Sequence, residues 1–327
     1  MVMFSRDYAE QIRDSLLLNF FNLNSNKEGK TPLFQSYLQY YGLNFTGDDG
    51  GSKHCAGIIN SGEFKIVCHY FVVPLERQKG TAFLLHGYFD HTGLYGHMIR
   101  HCLQLGYTVV IFDLPGHGLS SGPIAEIDSF RQYSGAFLRV LRQAKGFKVN
   151  QPWIVIGQST GAAIIMDALQ DTNFVDQFPV QCYILLGPFL RPKHWITSKL
   201  LFMLTRWFIR STRRKFAKNS HDEEFLNFLR TRDALQSKEL PRSWVLAMIE
   251  YQRRFARAKI CDEALHIIQG TGDETVDWRY NLPHIQEKFP KSKIYMIPDA
   301  RHQSVNESPE FRGRIFSSID QIIEGAG

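Results

Sequence analysis

Between residues 153 and 169 the chain reads Trp153-Ile154-Val155-Ile156, then Gly157-Gln158-Ser159-Thr160-Gly161, then Ala162-Ala163-Ile164-Ile165-Met166-Asp167-Ala168-Leu169. An apolar run of strand length, a G-x-S-x-G turn and an apolar helical run, in that order, describe a nucleophile elbow. The turn is so sharp that the residues flanking Ser159 must be small, because a Cβ there would strike the facing backbone. Such a turn holds a serine hydroxyl clear of the sheet and aims the next backbone N–H at the same point. The five-letter pattern alone recurs by chance, and Gly118-Leu119-Ser120-Ser121-Gly122 also fits it. No apolar strand runs into that second match and Pro123 follows it at once, so it reads as a loop.

The rest of the chain supplies the sheet that such an elbow needs. Apolar runs at 64–73, 82–86, 108–112, 153–157, 182–186, 265–269 and 294–297 have strand length. Helical patterns near 93–105, 128–144, 161–169, 278–289 and 309–323 alternate with them. This alternation predicts an α/β fold, a mostly parallel sheet covered by helices on both faces. Segments 56–60 and 64–73, joined by Ser61-Gly62-Glu63, read as an antiparallel hairpin on one sheet edge. At 327 residues, 44% hydrophobic and 21% charged, the chain can bury a large core as one domain with an insertion.

One interval breaks the rhythm. Almost eighty residues between the strands at 182–186 and 265–269 carry no strand signal. Leu200, Met203, Leu204, Trp207 and Phe208 recur at amphipathic helical spacing, and further helices are expected at 223–232 and 243–258. The expected organisation is therefore an N-terminal helix and lead-in at 1–54, a core at 55–189 and 262–327, and a helical cap at 190–261, over the carboxyl ends of the strands. Residues 191–260 hold 17 Lys and Arg against six Asp and Glu, a net of +11. The whole chain carries +6, which leaves −5 for the remainder. Arg206, Arg210, Arg213 and Arg214 form a basic stripe beside Trp207 and Phe208, a combination suited to peripheral contact with an anionic membrane. The plainer reading is a solvated helix whose apolar side packs on the core. No recognition motif accompanies the charge, so nucleic acid is not an expected partner.

Other classes fall away on composition. Cys55, Cys68, Cys102, Cys182 and Cys261 are an odd set without pairing-like spacing, and read as reduced thiols in a cytoplasmic protein. Neither C-x-x-C nor H-E-x-x-H occurs, so no metal or other cofactor is expected. Arg6, Asp7, Glu10 and Arg13 before Leu16-Leu17-Leu18 suggest an amphipathic N-terminal helix rather than a signal peptide. No apolar stretch reaches the length of a membrane span.

A serine hydroxyl needs a base within hydrogen-bond reach, and the base needs an orienting group. The run at 265–269 leads into Gly270-Thr271-Gly272-Asp273, and the run at 294–297 into Pro298-Asp299-Ala300-Arg301-His302. Asp273 and His302 thus follow the carboxyl ends of consecutive strands, from which their side chains can converge above Ser159. Asp277 competes for the acid role but precedes Trp278-Arg279-Tyr280, where a helix N-cap explains it. An oxyanion hole needs two donors, and losing one typically costs about 3 kcal/mol. The backbone N–H of Thr160 and that of Tyr88, in the loop His86-Gly87-Tyr88-Phe89-Asp90-His91, are the candidates.

With these residues in hand, the chain resembles the α/β-hydrolase superfamily, in particular its serine-aminopeptidase-like branch with monoacylglycerol lipases and lysophospholipases. The likeness rests on the loop at 86–91, on Asp113-Leu114-Pro115-Gly116-His117-Gly118-Leu119-Ser120, on the elbow, on Gly270-Thr271-Gly272-Asp273 and on Ala300-Arg301-His302. It spans roughly residues 65 to 325 and leaves the N-terminal sixty residues and most of the 190–261 segment unmatched. The resemblance implies a Ser159–Asp273–His302 hydrolase of esters carrying one acyl chain, with Tyr88 and Thr160 at the oxyanion. Gln158 and Thr160 stand where the family usually has His and Met, and Tyr88-Phe89 where it has small residues, which alters the pocket wall. An acyltransferase or thioesterase would use the same groups, and a non-catalytic ligand-binding protein could share the fold. No acidic site for a substrate amine is visible, which argues against peptide hydrolysis. If His302 is the base, activity should rise near pH 6.5, where a free imidazole titrates.

Overall fold

The computed structural model describes residues 4–16, 31–45, 52–171, 174–214 and 216–326. Its main sheet comprises β1 (Lys53–Ser61), β2 (Phe64–Val72), β3 (Gly80–Leu85), β4 (Tyr107–Phe112), β5 (Trp153–Gln158) and β6 (Val180–Leu186). A short two-stranded ribbon of β7 (Ser211–Arg213) and β8 (Glu239–Pro241) follows, before β9 (Leu265–Gly270) and β10 (Lys293–Ile297) rejoin the main sheet. Before the sheet come α1 (Arg6–Ser15) and α2 (Pro32–Tyr40). Between its strands lie α3 (Gly96–Gln104), α4 (Phe130–Gly146), α5 (Thr160–Ala168) and α6 (Phe174–Gln177). The stretch between β6 and β9 adds α7 (Trp195–Thr205), α8 (Glu223–Thr231) and α9 (Arg242–Arg257), and α10 (Trp278–Lys288) and α11 (Pro309–Ala326) complete the chain.

The strand order is β1-β2-β4-β3-β5-β6-β9-β10. Within this sheet only the β1–β2 and β2–β4 pairings are antiparallel, so the early hairpin occupies one edge as expected. Every strand from β4 to β10 along that order pairs in parallel. Central strands are apolar on both faces, and the alternation of side chains divides them between two cores. In β3, Phe83 and Leu85 join the core beneath α4, α5, α9 and α10, while Ala82 and Leu84 join the core beneath α1, α2, α3 and α11.

Local signals account for the helix starts. Ser129 and Gln132 form a reciprocal capping box at α4, a device worth about 1 kcal/mol. Thr31 accepts from Phe34 N–H at the head of α2, with Pro32 in the first turn. Asp222 caps α8 in the same way, accepting from Phe225 N–H at 2.9 Å.

Four findings revise the sequence reading of the 190–261 segment. It contains strands after all: β7 and β8 pair antiparallel, each only three residues long, too short to register as a periodic run. The first helix stops at Thr205, so Trp207 and Phe208 lie beyond it. Only part of this apolar set packs on the core: Trp195 and Phe202 do, whereas Leu200 is 65% exposed and, past the helix end, Trp207 is 74% and Phe208 88% exposed. Arg214 departs from the expected surface stripe and turns inward, whereas Arg210 and Arg213 stay exposed. At the N-terminus, α1 matches the expected amphipathic helix, but Leu17 and Leu18 lie outside the described residues. Among the described residues no helix is long and apolar enough to cross a membrane, no cluster of ligating side chains could hold a metal, and no disulfide joins any of the five cysteines.

Close backbone approach fixes the β5–α5 turn. A Cβ on Gly161 would sit 2.7 Å from the Leu85 carbonyl carbon, and one on Gly157 would sit 2.6 Å from the Gly161 carbonyl carbon. Both obstacles are backbone and cannot step aside. Gly161→Ala should therefore destabilise the protein by about 3 kcal/mol or more in urea unfolding. Gly135→Ala, in the middle of α4 with open space around its Cβ, should instead stabilise by about 0.5–1 kcal/mol. Equal effects at the two positions would show that backbone approach is not what fixes the turn.

Candidate active site

Ser159 has φ 53° and ψ −110°, a strained backbone for a residue with a Cβ. Its surroundings impose the strain: its N–H donates to Leu186 O at 2.9 Å and its carbonyl accepts from Phe189 N–H at 3.2 Å. The hydroxyl lies at the head of α5, a helix buried on nearly all sides.

His302 and Asp273 come to this hydroxyl from the loops after β10 and β9. His302 Nε2 is 2.9 Å from Ser159 Oγ, and His302 Nδ1 is 2.7 Å from Asp273 Oδ2. A carboxylate only accepts, so the proton of the neutral ring sits on Nδ1 and Nε2 presents its lone pair to the serine. Asp273 is in turn fixed by the N–H groups of Thr275 and Val276, at 2.8 and 3.1 Å from Oδ1, and by Gln269 Nε2 at 3.2 Å from Oδ2. Behind the pair runs Gly187, where a Cβ would come within 3.3 Å of His302 Nδ1. Asp277 stands apart: it caps α10 through Tyr280 N–H and pairs with Arg191 at 2.6 Å.

Burial and charge pull these groups in opposite directions. Burial penalises the charge on Asp273, but His302 and the loop N–H groups outweigh it and hold the carboxyl below its ordinary range. Burial likewise disfavours a charged His302, yet the charge and hydrogen bond of Asp273, with help from Asp90, carry its pKa above the ordinary 6.5. His86 shows the contrast. Buried without a facing partner carboxylate, it is pushed down to about 3, and its Nε2 accepts from Leu114 N–H at 2.9 Å. It is a structural residue of the loop.

Above Ser159 lies a cavity of about 610 Å³ whose lining includes Tyr88 and Thr160. The loop at 86–91 closes against the elbow, since a Cβ on Gly87 would lie 3.6 Å from Ser159 Cβ. The Tyr88 ring is turned away to stack on Trp244 at 3.9 Å, and its hydroxyl donates to Ala125 O at 2.8 Å. The remaining wall comes largely from the segment between β6 and β9, including Trp195, Phe202, Leu240, Val245 and Met248.

Several contributors have roles that no motif discloses, and Gln303 and Arg214 lie outside the motifs altogether. Gln158 Nε2 donates to Gln303 Oε1 at 2.7 Å, and Gln303 Nε2 donates to Asp90 Oδ1 at 3.2 Å, so a buried relay links the elbow, the histidine loop and the loop at 86–91. Asp90 is an acidic group in the cavity that the sequence reading did not mark; Arg214, lining the same cavity, offsets its charge. Asp113 had a signal only through the resemblance. It accepts from Thr92 N–H and Leu119 N–H, both at 2.7 Å, and so ties two loops together. Ser120, centre of the second G-x-S-x-G match, is a loop residue whose hydroxyl donates to Asp113 O at 2.6 Å.

The family described as serine aminopeptidase, S33 (Hydrolase_4) matches residues 76–309. Among curated proteins, a monoglyceride lipase homolog of monkeypox virus is 31% identical over 109 residues, 33% of this chain and 39% of that protein. A monoacylglycerol lipase of Mycolicibacterium smegmatis is 30% identical over 92 residues, 28% of this chain and 33% of that protein. The matches thus span little more than a third of these relatives. Among solved structures, a soluble variant of monoglyceride lipase from Saccharomyces cerevisiae superposes with a TM-score of 0.68 at 17% identity, covering 85% of this chain and 95% of that one. A monoacylglycerol lipase from Paleococcus ferrophilus gives 0.65 at 16% identity, covering 79% and 98%. The fold is that of the α/β-hydrolases.

The linkage of the histidine pair to pH follows from the two shifts. His302, with its pKa raised, contributes stability that is present below pH 6.5 and lost as pH rises through its folded value. Asp273, with its pKa lowered from 3.8, contributes stability present above that value and lost as pH falls through its folded value. In Asp273→Asn, burial acts on His302 without its main opponent, so the imidazole should titrate at lower pH than in the parent, followed by NMR. A titration unmoved by the substitution would mean that the two groups are not coupled.

Proposed function

The chain belongs to the serine aminopeptidase, S33, hydrolase family, and we propose that this protein is a serine esterase acting on a monoacyl lipid through an acyl-enzyme on Ser159. The observation that carries the reading is the continuous contact from Ser159 Oγ through the imidazole of His302 to Asp273 Oδ2. Family membership supports hydrolysis, and the relatives named as monoacylglycerol lipases support an ester with one acyl chain.

In this mechanism His302 Nε2 takes the proton from Ser159 Oγ as the hydroxyl attacks the ester carbonyl. Charge moves to the carbonyl oxygen, where the backbone N–H groups of Thr160 and Tyr88 receive it. Asp273 keeps the ring in the right tautomer and stabilises the imidazolium. His302 then returns the proton to the leaving alcohol as the carbonyl re-forms. A water molecule, activated by the same imidazole, attacks the acyl-enzyme and frees Ser159. The 190–261 segment serves as a cap, its apolar wall sheltering the acyl chain from water.

The exterior of that cap supports a membrane-facing role. Leu200, Leu204, Trp207 and Phe208 are all largely exposed, and Arg206, at 4.8 Å over the Trp207 ring, adjoins them. The opposite side of helix α7 lines the cavity through Trp195 and Phe202, with the largely exposed Leu201 beside them. An aromatic and basic patch beside the cavity lets a single-chain lipid pass from an anionic surface to Ser159 without crossing water.

Ser159→Ala should lower hydrolysis of p-nitrophenyl esters by about 10³-fold or more, and a fluorophosphonate should label the parent but not the variant. Full activity in the alanine variant would rule out the acyl-enzyme. Because His302 must be neutral to accept the proton and its pKa is raised, kcat/KM should climb with pH through a midpoint above 6.5 rather than at it. A profile flat from about pH 5 to 9 would count against His302 as the base. Replacing Trp207 and Phe208 together by Ala should weaken sedimentation with phosphatidylglycerol vesicles by about 10-fold. Undiminished vesicle binding would exclude the patch as the contact.

A further inference from the structure

The turn from His86 to His91 contains a residue at odds with its own backbone. Phe89 has φ +70°, a left-handed conformation that glycine adopts freely and that a Cβ makes unfavourable. Strain of this kind persists only where the surroundings impose it. The turn is closed locally by Asp90 N–H donating to Gly87 O at 3.1 Å, and the segment inserted between β6 and β9 adds a hold on its side chains. The Arg214 guanidinium carbon lies 4.1 Å from the Phe89 ring centroid and 4.7 Å from that of Phe216, so it makes cation–π contact with both rings. Arg214 is itself held on the β7–β8 ribbon: its N–H donates to Lys238 O at 2.8 Å and its Nη1 to Gln236 Oε1 at 2.6 Å. The next residue along the turn, Asp90, is buried and attracts the same guanidinium, while Gln303 holds its Oδ1 from another side. The Phe89–Asp90 pair is therefore gripped by ring contact and by charge, one residue beyond Tyr88.

We propose that Arg214 is a positioning residue: its contact with Phe89 holds the 87–90 turn in the left-handed backbone that keeps the Tyr88 N–H over Ser159. The cap, and not only the core, then sets the geometry of the oxyanion hole. This inference rests on the esterase reading and adds to it a residue from outside the matched motifs. It also accounts for a large aromatic side chain in a turn where glycine would be unstrained, since the ring is the handle by which the cap holds the loop.

The test is a double-mutant cycle of Arg214→Met and Phe89→Gly in the full chain, with kcat and KM measured separately on a soluble p-nitrophenyl ester. Glycine takes the required φ without strain, so the turn carrying Phe89→Gly has less need of the clamp. Beside the native Phe89, Arg214→Met should lower kcat about 10-fold with a much smaller change in KM. In the Phe89→Gly background the same substitution should cost under about 3-fold. An equal kcat loss in both backgrounds would overturn the proposal. So would a loss carried wholly by KM, which would make Arg214 a substrate contact. Should Arg214→Met not fold, Arg214→Lys, which keeps the charge but lacks the planar face, enters the same comparison with the same outcomes. Retained turnover in Ser159→Ala would refute the esterase reading itself, whereas an inactive Ser159→Ala with an additive cycle would refute only the role of Arg214.

Discussion

At the β5–α5 turn three stretches of backbone approach more closely than any side-chain carbon allows. Gly157 faces Gly161, Gly161 faces the Leu85 carbonyl at the end of β3, and Ser159 between them is bent into φ 53°. The rest of the site is built outward from this contact. Because β3 abuts the turn, the loop that follows it arrives beside Ser159. Because β6 accepts the Ser159 N–H, its continuation through Gly187 passes behind His302 and Asp273. Close backbone packing here takes the place of a large set of side-chain contacts, and it leaves the serine hydroxyl no direction except the cavity.

Electrostatics decide what that hydroxyl meets. Burying Asp273 and His302 separately would neutralise both, since each loses hydration without compensation. Burying them together, 2.7 Å apart, reverses both shifts. The same balance recurs at His91. There Gly93 N–H donates to Nδ1, so the ring proton sits on Nε2 between the two oxygens of Asp233, which also accepts from Tyr41. His69 and His117, buried without such a partner, are pushed down to about 3 and about 4. The His91–Asp233 pair, with Tyr41 at the end of α2, ties the loop at 86–91 to the segment between β6 and β9, to which Arg6 of α1 also donates through Leu235 O.

The segment between β6 and β9 meets two demands. Apolar cavity walls draw apolar side chains from the helix that lines them, and its solvent side is ordinarily polar. Helix α7 departs from this only in part: Trp195 is buried, Leu201 and Phe202 line the cavity, and the exposed residues include Leu200 and Leu204 as well as Thr197 and Lys199. Its hydrophobic pattern was legible, but the side on which each residue would lie was not. Periodicity reports that a face exists and is silent on whether core, cavity or lipid covers it.

The order of strands and helices in the core, the sharp turn at Ser159 and the placement of Asp273 and His302 after successive strands were all readable from sequence. These depend on local stereochemistry and on periods of two and 3.6, which a short window contains. Asp277 was also separable from Asp273 by its place at a helix start. Tertiary structure alone decided the rest: the three-residue pairing of β7 with β8, the inward turn of Arg214, the Gln158–Gln303–Asp90 relay and the left-handed backbone at Phe89. Each joins residues far apart in the chain, or depends on a neighbour from another segment to offset strain or charge. A linear pattern carries no record of such neighbours, because the energy that selects them exists only once the backbone has closed around them.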